Sequence, residues 1–441
     1  MESPLCSRWP IAERRRARRL AVWNGAMWAV GNGLASTTLI LYLAKELHAE
    51  RFGLGIGLIL AAPNLIGLLR LGAPAMIDRL GDRKRFCVAT FLAGALLLMA
   101  IPWLCVPGRL PSAGGSLAMM VALWCLYHLF QYLGMVGLWS WLADVASSPV
   151  RGRFLGWRER WLVAGQAGAS VAAGLIAWKF SEWFPEVPAW KVYAVLGELG
   201  AMGMIASLVP LGLMPERPKN DARRRLSGPG DGEKGFSRWV VPFRDARFLR
   251  LLAFGCWFSF FNGLTQSAQN YYPMQVLGIS LLLSLTAQTG MRLGQCGVSP
   301  WLGELADRRG NRPVMIVSQL LVAAGLLFFA AATPAHWGWF LGAWVFWVAY
   351  AGLNVCLPNL MLKLSPDRSN ATHIAAFQAV TGLCYALSTI AGGAMVDAHL
   401  SQRLVLAVPF FPAFFVFGWI MRSFGALLLA WVLEPKPKSW R

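Results

Sequence analysis

Residues 303–312 read GELADRRGNR, a phrase in which half the residues are charged, set between two of the most apolar stretches of the chain. A looser version, AMIDRLGDRKR, occupies residues 75–85. In both, an aspartate is followed by Arg, any residue and Gly, and Asp78 and Asp307 are 229 residues apart. A second match lies at offset 230, with NGLASTTLILY (32–42) over NGLTQSAQNYY (262–272). Asn32 then overlies Asn262, Tyr42 overlies Tyr272 and Trp28 overlies Phe258. Two matches at nearly one offset indicate an internal duplication, which fixes architecture before any other feature.

The medium follows from composition. Of the 441 residues, 56% are hydrophobic and 14% charged, where a soluble domain carries roughly 25% charge. Twenty-two tryptophans suit interfacial belts. The basic N-terminus resembles a signal peptide, but its apolar run continues to about Lys45 without an A-x-A-like cleavage site, so it reads as a retained first span. Eight cysteines form no C-x-x-C pair and seven lie in or beside apolar runs, as small hydrophobes do.

Apolar windows of about 20 residues place twelve spans. The first six lie near 20–44, 53–77, 86–107, 117–144, 160–180 and 189–214. The second six lie near 248–275, 279–302, 313–334, 337–362, 373–397 and 404–433, with PFFP (409–412) set to bend or delay the last helix. With a cytoplasmic N-terminus, the segments on that side hold 32 of the 41 lysines and arginines, as the positive-inside rule requires. The formal charge of +20 is therefore a topology signal rather than a nucleic-acid footprint.

Both termini are expected in the cytoplasm of an inner membrane. The expected organisation is a basic N-terminus (1–19), a six-helix bundle (20–214), a Pro-, Gly- and Arg-rich linker (215–247), a second bundle (248–433) and a short tail (434–441). Six spans per half is an even number, so the repeats are parallel.

At this point the loop phrases carry a family likeness. GELADRRGNR resembles the G-x-L-A-D-R-x-G-[RN]-[RK] signature of major facilitator superfamily transporters, found after helix 2 and, often degraded, after helix 8. Gly303, Asp307, Arg308, Gly310 and Arg312 match it, whereas the first copy keeps Asp78, Arg79, Gly81 and Arg83 but has Pro74 and Asp82 where Gly and Arg are usual. WLADVASSPVRGRFLGWRER (141–160) resembles a bacterial branch of that superfamily without a defined substrate. The resemblance implies an all-α membrane fold of two parallel six-helix repeats around a central cavity, working by alternating access.

Within that expectation the two charged turns govern conformation. Asp78 and Asp307, at the cytoplasmic ends of spans 2 and 8, are suited to cap a neighbouring helix or to pair with Arg151, Arg153, Lys363 or Arg368. Gly81 and Gly310 allow a tight turn. The plainer reading is that these charges only mark topology, which does not account for the repeated Asp and Gly.

Charges inside a membrane are costly and tend to be functional. Arg292 lies 15 residues before Asp307, about 22 Å deeper along a helix, and because helix 8 borders the cavity in the family, the resemblance makes it the foremost solute-binding candidate. Arg70 is near enough to the cytoplasmic end to snorkel. Glu198 and Arg422 lie mid-span in helices that are peripheral in the family, and their partners stay open. In the family, helices 1, 4, 7 and 10 line the cavity. Their mixed faces offer Asn24, Trp28 and Asn32; His128 and Tyr132; Phe258, Asn262 and Gln269; and Tyr350 and Asn354. Ordinary helix packing through interhelical hydrogen bonds is the competing account.

The functional expectation is a secondary transporter of a small organic solute, acting as a monomer in the lipid bilayer without cofactor or metal. A coupling proton or ion stays open, because helix 1 lacks an acidic residue and 165–174 lacks the Gly-Pro pair of the antiporter signature. No G-x-x-x-x-G-K-[ST] loop appears, so this chain alone does not read as a primary pump. A membrane-embedded transferase would need convergent acid, base or metal-ligand sets, which five scattered histidines do not supply. A non-transporting sensor or assembly protein with the same fold stays open.

Overall fold

A computed structural model describes residues 11–145, 148–215, 241–364, 370–402 and 409–434. Lipid supplies no partners for backbone N–H and C=O groups, so a chain crossing it coils into helices. Every regular element among the described residues is helical. Eleven helices among the described residues are long and apolar enough to cross a membrane. The eighth expected span is the 29-residue helix Leu281–Arg309, which carries Gln288, Arg292 and Gln295 and falls short in apolarity rather than in length.

Span 1 begins at Ile11, nine residues earlier than expected, so the basic residues 14–19 already belong to the helix. It breaks after Leu34 and resumes as Thr37–Lys45, where the Ser36 side chain accepts from Leu39 N at 3.3 Å. Span 2 runs Phe52–Ile66, tightens to a 3₁₀ turn over Gly67–Gly72 and ends as Ala73–Leu80. Spans 3 and 4 are Arg83–Leu104 and Ala113–Val145. Span 5, Ser148–Trp183, is 36 residues long. Most of the second half of 141–160, expected to bridge spans 4 and 5, is therefore the start of a helix. Span 6 is Trp190–Ala206 followed by Leu208–Leu213.

Span 7, Ala246–Tyr271, ends in a wide turn over Tyr272–Val276 closed by Leu277 N to the Tyr272 carbonyl at 3.0 Å. Span 9 is Asn311–Ala331. Span 10 is Trp339–Phe346 and Tyr350–Leu364 about a 3₁₀ step at Trp347–Ala349. Spans 11 and 12 are Asn370–Leu400 and Phe410–Trp431. The last begins after Pro409 rather than at 404, because the proline ring cannot continue a helix from its N-terminal side. Residues 403–408, residues 216–240 of the linker, Arg368 and the tail beyond Glu434 lie outside the described residues.

The chain packs as two compact units, Met1–Ala49 with Ile66–Gly230, and Glu50–Leu65 with Asp231–Arg441. In the first, span 1 packs on spans 5 and 6, and span 3 on span 4. In the second, span 7 packs on spans 11 and 12, span 9 on spans 10 and 12, and span 8 on span 10. Chain order places all of span 2 in the first bundle, whereas packing gives its first part to the second unit. The Asp397 carboxylate of span 11 accepts Gly53 N and Leu54 N, each at 2.8 Å, capping a helix start 344 residues away. The Phe52 ring stands 6.1 Å from that of Tyr271.

Without a hydrophobic drive between helices in lipid, close approach at small residues supplies much of the packing. A Cβ added at Gly392 in span 11 would land on the Leu264 carbonyl oxygen of span 7. One added at Gly263 would meet Ser388, the Tyr385 carbonyl and Thr389. Gly392→Ala should cost about 1–3 kcal/mol of stability, read as a lower melting temperature in detergent. Gly290→Ala is the control, since nothing lies within 4 Å of its added Cβ, and it should melt with the wild type.

Candidate functional site

In the first unit, span 4 carries a run of rings. His128 lies 4.4 Å from Trp124, 4.9 Å from Tyr127 and 5.9 Å from Tyr132, centroid to centroid. The i, i+4 spacing of Trp124, His128 and Tyr132 sets these residues on one face of the helix. Span 1 joins that face through Trp28, whose indole Nε1 donates to Gln131 Oε1 at 3.3 Å. Two donors or acceptors here, His128 Nε2 and Gln131 Nε2, are buried without a hydrogen-bond partner among the described residues. Asn32 accepts from Gln166 Nε2 of span 5 at 2.8 Å.

Asn24, expected on the same face, does something different. It is buried, and its Nδ2 donates at 2.9 Å to the carbonyl of Ser207, the residue at which span 6 breaks. Asn24 is a packing residue.

In the second unit, the structure brings three expected residues together. The Tyr350 hydroxyl donates to Asn262 Oδ1 at 3.2 Å, and the Phe258 ring lies 6.4 Å from Tyr350. The 3₁₀ step at Trp347–Ala349 precedes Tyr350 and sets its direction. Gln269 stays within span 7, donating to Thr265 Oγ1 at 2.8 Å. Asn354 is exposed and makes no hydrogen bond among the described residues.

Arg422 of span 12 completes this cluster and was not foreseen as part of it. Its side chain is fully buried and reaches span 7, where Nε and Nη2 donate to the carbonyls of Phe261 (3.4 Å) and Asn262 (3.2 Å). Nη2 also donates to Thr265 Oγ1. Tyr350 and Tyr385 stand within electrostatic reach. Nη1 is buried with no partner, and no carboxylate pairs with the guanidinium among the described residues. A guanidinium can be held by carbonyl oxygens because it presents five N–H groups in a fixed fork. Its mid-span position was the available signal, but helix periodicity does not say which neighbour a long side chain reaches.

Arg292 of span 8 is exposed and makes no hydrogen bond or ion pair among the described residues. Glu198 Oε1 is buried and unpartnered among them.

The two charged turns differ in detail. Gly81 has φ +63° and Gly310 has φ +93°, the left-handed region that suits glycine. The side chains of Asp78, Arg151, Arg153 and Asp307 lie outside the described part of the structure. Arg308 pairs with Glu304, Arg79 is exposed, Gly303 lies inside the span 8 helix and Arg83 opens the helix of span 3. Asp82 caps span 3, accepting Arg85 N at 2.9 Å.

At the second turn the cap comes from the tail. Glu434 accepts Asn311 N at 3.0 Å, Arg312 N at 2.9 Å and Asn311 Nδ2 at 2.7 Å. Lys363, expected to meet Asp307, pairs with Glu434 at 3.0 Å. Burial pushes the Glu434 carboxyl up, but the amides of Arg312 and Asn311, the Asn311 side chain and Lys363 outweigh it and hold it below its ordinary value.

Two helical units whose helices are long and apolar enough to cross a membrane define a polytopic membrane protein. The Major Facilitator Superfamily model matches residues 21–298 and 286–441. The chain belongs to that superfamily and is a secondary transporter. Among curated proteins, no sequence matches it.

Among solved structures, a D-xylose–proton symporter superposes with a TM-score of 0.67 at 16% identity, covering 96% of this chain and 98% of that one. The nucleoside transporter NupG gives 0.66 at 12%, covering 97% and 100%. The inward-open xylose transporter XylE from E. coli gives 0.65 at 13%, covering 96% and 97%. At these identities the likeness is one of fold.

A cap formed by a carboxylate held below its ordinary value stabilises the protein only while ionised. The contribution of Glu434, about 1 kcal/mol as for other caps, is complete above the unfolded glutamate value of about 4.3. It disappears as pH falls through the lower folded value. Glu434→Gln should melt below the wild type at pH 7, and the two curves should converge as pH drops below about 4.

Proposed function

We propose that this transporter carries a small organic solute rich in hydrogen-bond acceptors, by alternating access in the inner membrane, with both termini in the cytoplasm. Solute contacts fall to the polar and aromatic faces, namely Trp28, His128 and Tyr132 in the first unit and Phe258, Asn262 and Tyr350 in the second. Arg292 supplies a free cation. The observation that carries this reading is the Arg422 cluster. A guanidinium and a phenol hold Asn262 by its carbonyl and its Oδ1, leaving the Asn262 Nδ2 with no partner among the described residues. A donor left unused on a half-buried side chain that its other bonds hold in place is what an acceptor-bearing solute needs.

The six-helix bundles at 20–214 and 248–433, joined by the linker 215–247, are the moving parts in this reading. The turns around Asp78 and Asp307, together with Arg151 and Arg153, bias one state over the other. The protein acts as a monomer and makes or breaks no covalent bond. Neighbours in fold include a symporter for D-xylose and protons and a transporter for nucleosides. Both solutes are acceptor-rich, which supports the same class here, and a coupling proton fits His128 Nε2, which has no partner among the described residues.

Counterflow into liposomes containing the purified chain, with a panel of pentoses, nucleosides and hydroxy acids, tests the proposal. At least one solute should accumulate, and Tyr350→Phe should cut its rate about tenfold, the effect of losing one buried hydrogen bond to an oriented partner, in a protein that still folds. Wild-type rates in Tyr350→Phe, or no flux of any solute by a folded protein, would contradict it.

A further inference from the structure

A cavity of about 500 Å³ opens in the second unit, among spans 8, 9 and 10. Its walls are apolar and include Trp301 and Leu305 of span 8, Val317 and Leu321 of span 9, and Val345 and Phe346 of span 10. The 3₁₀ step at Trp347–Ala349 and the prolines 300 and 313 keep the three helices from closing over it. Trp301, Val317 and Val345 are 63%, 57% and 69% exposed, so the groove faces outward from the unit.

The groove has a length and a polarity. From Val298 to Arg309 it follows span 8 for about 16 Å at 1.5 Å per residue. That is close to half of the roughly 30 Å hydrocarbon core, the depth of one leaflet. Its one charged lining residue among the described residues is Arg309, at the loop end. Arg308 is paired with Glu304 and Arg312 donates to the Val432 carbonyl, whereas Arg309 has no hydrogen bond or ion pair among the described residues.

We infer that this groove binds one anionic phospholipid of the leaflet on the 303–312 side, an acyl chain lying along spans 8 to 10 and its phosphate on Arg309. A membrane-crossing helix as occupant would need a surface twice as long. A lipid needs one leaflet of apolar wall ending in a cation. The guanidinium fork matches two phosphate oxygens at once, and a basic pocket between helices at a membrane surface is a recognised form of headgroup site. A zwitterionic headgroup brings its own ammonium to Arg309, which has no ion pair among the described residues, so the site selects net negative charge.

Native mass spectrometry of the full chain in detergent tests this, titrated with phosphatidylglycerol or with phosphatidylcholine of identical chains. One phosphatidylglycerol should remain bound per chain, about fivefold in preference to phosphatidylcholine, the effect of one cation at the surface. Arg309→Gln should remove the preference, and Val317→Trp, which fills the groove, should reduce retention of both lipids. Inorganic phosphate should not displace the lipid.

Arg309→Gln alters an exposed side chain and is expected to fold normally, so it decides the matter if Val317→Trp does not fold. Equal retention of the two lipids by the wild type, or undiminished preference in Arg309→Gln, would overturn the inference. A lipid-free dimer lost in Val317→Trp would overturn it too, naming a second copy of this chain as the occupant.

Discussion

A carbonyl oxygen left open inside a bilayer has no water to turn to, and that constraint organises much of this chain. Span 6 breaks at Ser207, and Asn24 supplies the donor to the freed carbonyl. Span 10 tightens at Trp347, and Gln295 of span 8 covers that carbonyl at 3.1 Å. Tyr272 covers Ala332, Trp257 covers Met421, and Arg422 donates to two adjacent carbonyls of span 7. Polar side chains in the spans are thus divided between covering backbone and facing something else. The second group is where a solute can act.

That division explains which parts of the molecule could be read from the sequence. Apolar runs and the alternation of basic loops depend on the chain's own composition, and they locate the helices. The Asp-Arg-x-Gly turns depend on local backbone, and Gly81 and Gly310 take the positive φ that the pattern requires. Breaks at Ser207 and Trp347 depend on partners far away in the chain. The donor to Ser207 is 183 residues distant, and no window of 20 residues contains it. The cap that Asp397 places on span 2 is of the same kind.

The faces of spans 4, 7 and 10 were legible because a helix wheel correctly groups residues such as His128 with Tyr132. The wheel does not say what opposes them. It placed Asn24 and Asn262 alike, yet one binds a broken helix and the other meets Tyr350. It also passed over Gln131, one step round from Tyr132, and Glu434, which sits just beyond the last span. Arg422 stood out by its charge, while its reach into span 7 is a matter of three-dimensional packing alone.

The proposed role of Asn262 in meeting solute and the bond of Asn24 to the Ser207 carbonyl separate in one experiment. The direct measurement is solute binding by the purified chain, followed as ligand-induced thermal stabilisation in Asn24→Ala and Asn262→Ala. Asn24→Ala should lower the melting temperature of the free protein and keep the ligand-induced shift. Asn262→Ala should lose the shift, whatever the loss of its Tyr350 hydrogen bond costs the free protein. The reverse pattern, or a full shift in Asn262→Ala, would contradict the proposed role of Asn262.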